Sequence, residues 1–141
     1  MTLRFLLDTS TASEPAAALP DRGVVARIDR FSYTTAIASP VWHELRYGAS
    51  RLKAGERRER IEGYLDRLRE SVVVLPYDEH AACWHAAERA RLDSIGKPAP
   101  YVDGQIAAVA ATNDLTLVTK NVRDFRRFND LRVEDWSTRT R

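Results

Sequence analysis

Four acids stand at positions where a carboxylate can do chemistry. Asp8 ends the apolar run Leu3 to Leu7, and Glu44 sits one turn into a helix whose neighbours are mainly apolar. Asp103 opens an apolar helix, and Asp124 follows the last long apolar segment. Carboxylates gathered at one place repel one another and hold raised pKa values unless a cation neutralises them. Oxygen donors with no accompanying cysteine or histidine set point to Mg²⁺, or Mn²⁺ in its place, rather than zinc. Such an ion can activate water against a phosphodiester. Each acid also has a plainer reading. Asp8, Asp103 or Asp124 taken singly reads as readily as a helix or turn cap, and Glu44 can pair with His43 or Arg46. Only their joint arrangement argues for a site.

The elements that must position them follow from patterning. Leu3–Leu7, Tyr33–Ala38, Val72–Leu75, Leu115–Val118 and a short segment around 131–133 read as strands. Between them lie helical segments with 3.6-residue apolar spacing, such as Ile61, Tyr64, Leu65 and Leu68. Ser39 before Pro40 reads as an N-cap, and Asp78 caps a long helix through about Leu92. Alternating strands and helices give an α/β fold with a central, mostly parallel sheet flanked by helices. In such a sheet, strand ends and the helix starts after them share one edge. Asp8, Asp103 and Asp124 are placed to meet there, with Glu44 beside them.

The whole chain constrains the rest. Its 141 residues suit one domain over 1–136, with 137–141 as a flexible tail. No apolar run reaches membrane-spanning length, so no membrane is expected. Cys83 is the single cysteine, which excludes an internal disulfide and points to a cytoplasmic location. In its alanine-rich helix Cys83 reads as a small buried apolar group. The net charge of +2 does not by itself argue for nucleic acid. Lys120, Arg123, Arg126 and Arg127 nevertheless flank the last acidic turn, where they are candidates for holding RNA phosphates. The basic run from Arg51 to Arg60 reads as an ordinary charged helix face. His80 and His85 lie five apart and share no metal-binding face, and Ser10 lacks a base in sequence to activate it as a nucleophile.

Four segments together carry a resemblance. FLLDTS at 5–10, VWHELRYGASRL at 41–52, VDGQIAAVA at 102–110 and LTLVTKNVRDF at 115–125 resemble, in order and spacing, the PIN-domain nucleases and among them the VapC-type toxins of toxin–antitoxin pairs. The resemblance covers nearly the whole chain. It implies a PIN-like fold, Mg²⁺-dependent (or Mn²⁺-dependent) endoribonuclease activity, a homodimer and a cognate antitoxin partner. Asp8, Glu44 and Asp103 fall on the family's metal-holding acids, and the fourth position falls on Asn121 or Asp124. Ser10 replaces the asparagine common two residues after the first aspartate; its hydroxyl can still bond water or phosphate. The antitoxin is expected near the helices spanning 41–52 and 61–68, as an apolar groove. Two other functions fit the same residues: a metal-dependent nuclease acting on DNA, and a catalytically idle PIN-fold binding module.

Overall fold

The computed structural model describes residues 2–138. Five parallel strands make the sheet: β1 (Phe5–Leu7), β2 (Thr35–Ala38), β3 (Val73–Leu75), β4 (Thr116–Val118) and β5 (Val133–Glu134), in the order β3-β2-β1-β4-β5. β1 lies at the centre, with Leu7 opposite Ile37 on one side and Val118 on the other. Phe5, Leu6 and Leu7 and the whole of β2 are buried, which is why these strands read as unbroken apolar runs rather than alternating ones. The chain leaves β1 toward β2 and later returns to β4 on β1's other flank. The carboxyl ends of β1 and β4 are therefore a topological switch point, the place where open α/β sheets form their crevice.

The helices are α1 (Thr9–Ala12), α2 (Arg22–Arg30), α3 (Ser39–Ser50), α4 (Glu56–Ser71), α5 (Glu79–Ser94), α6 (Tyr101–Thr112) and α7 (Val122–Phe125). Short 3₁₀ turns fill Glu14–Ala16 and Ser32–Thr34. Asp78 caps α5 as expected, its Oδ1 accepting from the Ala81 N–H at 2.9 Å. Ser39 does not cap α3. β2 runs straight into the helix, so extended Ala38 occupies the cap position and Ser39 is already helical. Cys83 is exposed rather than buried. The buried stripe of α5 is Ala81, His85, Glu88 and Leu92, at helical spacing, and residue 83 falls off it.

The end of the chain is held as far as it is described. Trp136 packs on Phe5 and Phe31 with ring centroids 5.1 and 5.7 Å away. Thr138, assigned on sequence to a flexible tail, donates its N–H and its hydroxyl to the buried Asp21 carboxylate at 2.9 and 2.7 Å. The rest of that tail, Arg139–Arg141, lies outside the described residues. No helix among the described residues is long and apolar enough to cross a membrane.

Candidate active site

Asp8 is the first residue past β1, and its N–H still donates to the Val118 carbonyl at 2.9 Å, as though the strand ran one residue further. It precedes α1 but makes no side-chain cap bond there, which removes the capping role. Its carboxylate is buried. Thr119, the corresponding first residue past β4, is wholly buried and donates its hydroxyl to Asp8 Oδ2 at 2.8 Å. Ser10 donates to the same oxygen at 3.1 Å and lies 3.3 Å from the Thr119 hydroxyl. Ser10 Oγ in turn accepts the Lys120 N–H at 3.1 Å, and Thr119 Oγ1 accepts the Asn121 N–H at 3.0 Å. Two hydroxyls and two backbone amides thus fix the rotamer of one carboxylate.

Asp103 arrives from the other flank. Pro100 occupies the cap position of α6, so Asp103 stands inside the first turn rather than capping it. The depth of α6 is set by Gly104. A β-carbon there would stand 2.1 Å from His85 Nε2, so only glycine lets α6 close onto α5. His85 is buried, its Nδ1 2.8 Å from the Tyr77 hydroxyl and its ring 5.0 Å from that of Tyr101. Burial, reinforced by the nearby Arg89 charge, lowers the His85 pKa and favours the neutral imidazole beneath the helix. Burial also raises the Asp103 pKa, and the charges of Asp8 and Asp124 raise it further while Arg127 partly opposes them. Asp8, Asp103 and Asp124 therefore share one field. Asp124 lies in the first turn of α7 with its side chain about half exposed, 3.8 Å from Arg127.

Glu44 is not among the charges that act on Asp103. It faces a cleft of about 320 Å³ between α1, α3 and α4, lined also by Thr9, Ser13, Gly48, Ile61 and Tyr64. Its nearest ionic neighbour is His43 Nδ1 at 4.0 Å. Thr9, the residue after Asp8, lines the same cleft. Asn121 is exposed and makes no side-chain cap bond to α7, so capping is not its role.

The basic residues divide. The Lys120 ammonium is bonded to Glu14, and Arg127 donates to the carbonyls of Asp124 and Pro98, each at 2.8 Å. Arg123 and Arg126 are exposed and have no side-chain partner among the described residues. Two contributors were not singled out on sequence. Thr119 carried a signal, because LTLVT ends as FLLD does and parallel register sets their last residues side by side. Glu14 carried none, since its partner lies 106 residues away.

Carboxylate and hydroxyl oxygens, with Arg127 alone opposing the acids around Asp103, form a donor set that suits a hard divalent cation. Among the described residues no group of three histidine, cysteine, aspartate or glutamate side chains stands ready-made to hold one. Carboxylates at the carboxyl edge of a parallel sheet, with the first aspartate held by hydroxyls, lie where open α/β sheets bind their ligands, and a cation bound there can activate water. The sequence matches the PIN domain over residues 5–131. The chain belongs to the PIN-domain family. Within that family it is of the VapC type. The tRNA(fMet)-specific endonuclease VapC of Salmonella typhimurium is 36% identical over 135 residues, 95% of this chain and 98% of that protein. Toxin FitB of Neisseria gonorrhoeae is 32% identical over 128 residues, 86% of this chain and 90% of that one. Among solved structures, DNA-bound VapBC from Salmonella typhimurium superposes with a TM-score of 0.84 at 32% identity, covering 96% and 99% of the two chains. FitAB bound to an IR36 DNA fragment gives a TM-score of 0.82 at 30% identity, covering 96% and 98%. This likeness bears out the PIN fold expected from the four sequence segments.

Proposed function

We propose that this PIN-domain protein is a Mg²⁺-dependent endoribonuclease, the toxin of a VapBC-like pair, and that Asp8 and Asp103 are its principal metal-holding acids. The observation that carries the reading is the gathering of Asp8, Asp103 and Asp124 at the switch point of the sheet, where burial and then the two like charges raise the Asp103 pKa. A carboxylate penalised by burial and by like charges gains from any cation that neutralises it. Asp124 adds the third charge, and Glu44 faces the adjoining cleft. Mn²⁺ is an alternative ion. The chemistry that such an ion supplies when bound is an activated water and neutralisation of charge on the scissile phosphate.

The chain's own residues do the rest. Thr119 and Ser10 present Asp8 in one orientation, so its position costs no reorganisation during reaction. Arg123 and Arg126, exposed on the turn that carries Asp124, are the groups best placed to take RNA phosphates. Asn121, beside them, is available to orient water or a phosphate oxygen. The cleft between α3 and α4 is mostly apolar and suits a helical segment of an antitoxin, with Glu44 at its rim. The protein is expected to act in the cytoplasm as a homodimer.

The test is cleavage of single-stranded RNA and of DNA of the same sequence by the purified protein, with Mg²⁺ or with chelator. Cleavage of RNA alone, abolished by chelator and by Asp103→Asn, is expected. Cleavage of DNA instead, or metal-independent turnover, would overturn the assignment, and no turnover on either nucleic acid would favour an idle binding module.

A further inference from the structure

Glu14 is an acid that the cleavage chemistry above does not use, yet it is buried, with its side chain only 9% exposed. Its Oε1 accepts the Asp21 N–H at 2.8 Å, and its Oε2 takes the Lys120 ammonium. Lys120 lies between Thr119, which holds the Asp8 carboxylate, and Asn121, whose N–H returns to Thr119. Its own N–H is held by Ser10. Two consecutive residues of the turn after β4 are thus tied to the segment after β1, Thr119 through Asp8 and Lys120 through Ser10 and Glu14, while Asn121 is tied back to Thr119. We propose that Glu14 and Lys120 are a positioning pair, which locks the turn carrying Thr119, Asn121 and Asp124 against Asp8. The proposal rests on the nuclease reading only for its effect on rate.

Two plainer roles compete with it. A solvent-exposed ion pair contributes little to stability and nothing to geometry. Glu14 differs because its carboxylate is buried and its second oxygen is already committed to a backbone amide, so losing Lys120 leaves a buried charge without its counter-ion. Alternatively, Lys120 serves RNA phosphate, as its position in the sequence suggested. In that case Glu14 competes with the substrate for the ammonium, and removing the Glu14 charge would help binding.

Three variants separate these roles: Glu14→Gln, Lys120→Met and Lys120→Arg. Two readouts are taken on the full chain: single-turnover RNA cleavage across RNA concentration, and amide hydrogen exchange residue by residue. The positioning role expects Glu14→Gln and Lys120→Met to lower the rate at saturating RNA by about tenfold to a hundredfold, as small misplacements do. The apparent RNA affinity should hold. Exchange at Lys120 and Asn121 should quicken by about tenfold or more, with Leu6 and Leu117 in the central strands unchanged. Lys120→Arg, which keeps the charge, should stay near wild type in both. If Glu14→Gln keeps the wild-type rate and exchange while Lys120→Met weakens RNA binding, the proposal is overturned in favour of phosphate contact. Uniformly faster exchange across the sheet would overturn it in favour of a general stability role. If Glu14→Gln does not fold, the contrast between Lys120→Met and Lys120→Arg decides, and equal damage in both overturns the pair. If the wild type cleaves no RNA, the nuclease reading fails, and local quickening at residues 120–121 still upholds or, by its absence, refutes the pair.

Discussion

Thr119→Val removes one hydroxyl from the centre of the site while keeping the shape of the side chain. In the folded protein that hydroxyl is wholly buried and donates to Asp8 Oδ2 at 2.8 Å, a short bond to a carboxylate. Hydrogen bonds to charged groups contribute about 1.5–3 kcal/mol net. For a chain of this length about 3 °C of melting temperature corresponds to 1 kcal/mol. A fall of about 5–9 °C in metal-free buffer is therefore expected. Thr119→Ser is the control: it keeps the hydroxyl and loses one buried methyl, at about 1 kcal/mol. Cleavage should separate the two further, because Asp8 loses its main orienting donor only in the valine variant. Thermal melts by circular dichroism, with single-turnover rates on the same samples, measure both effects. A Thr119→Val protein that melts at or above Thr119→Ser and cleaves equally well would refute the claim that this hydroxyl orients Asp8.

Asp103→Asn should be more stable than wild type at neutral pH without metal. Its folded pKa lies above the ordinary 3.8, so the ionised carboxyl costs stability at pH 7, and that cost disappears as pH falls through the raised value; melts from pH 7 down to about 4 should show the advantage shrinking. Gly104→Ala should destabilise by about 1–3 kcal/mol, since its methyl would stand 2.1 Å from His85 Nε2, and denaturant titration measures it. Asp124→Ala should lower cleavage by about tenfold to a hundredfold and Asn121→Ala much less, because Asp124 acts on Asp103 and the Asn121 side chain makes no cap bond. Rates measured across a Mn²⁺ titration compare the two, and a more damaged Asn121→Ala would move the fourth position to Asn121.

The parts of the site legible in the sequence are those that local pattern dictates. FLLD announces a buried strand followed by an acid. The apolar run behind Asp103 announces a helix packed on the sheet, although Pro100 rather than Asp103 sits at its cap. What sequence does not carry is register between distant segments. The Thr119 bond to Asp8 and the Lys120 bond to Glu14 exist because β1 and β4 run side by side, 111 and 106 residues apart. The same register gives Lys120, a candidate for phosphate on sequence, a partner in Glu14, and Arg127 bonds the Asp124 and Pro98 carbonyls. Gly104 was legible only as a small residue, because the ring that fills its missing side-chain position comes from α5. Cys83 misled for a simpler reason: the scattered alanines of α5 mark no clear apolar stripe, and the buried face fell elsewhere.

The most direct measurement is the melting temperature of wild type and Asp103→Asn as Mg²⁺ is titrated from chelator into the millimolar range. An ion that binds only the folded protein stabilises it by mass action, about 2.7 kcal/mol at a hundredfold excess over its dissociation constant. Without metal, Asp103→Asn should match or exceed wild type, because the mutation removes the burial cost of the Asp103 charge and its repulsion by Asp8 and Asp124. With rising Mg²⁺ the wild type should climb past a nearly flat Asp103→Asn curve, so that the two lines cross. Parallel curves, or a wild type that does not respond to Mg²⁺, would contradict a metal site built on these acids.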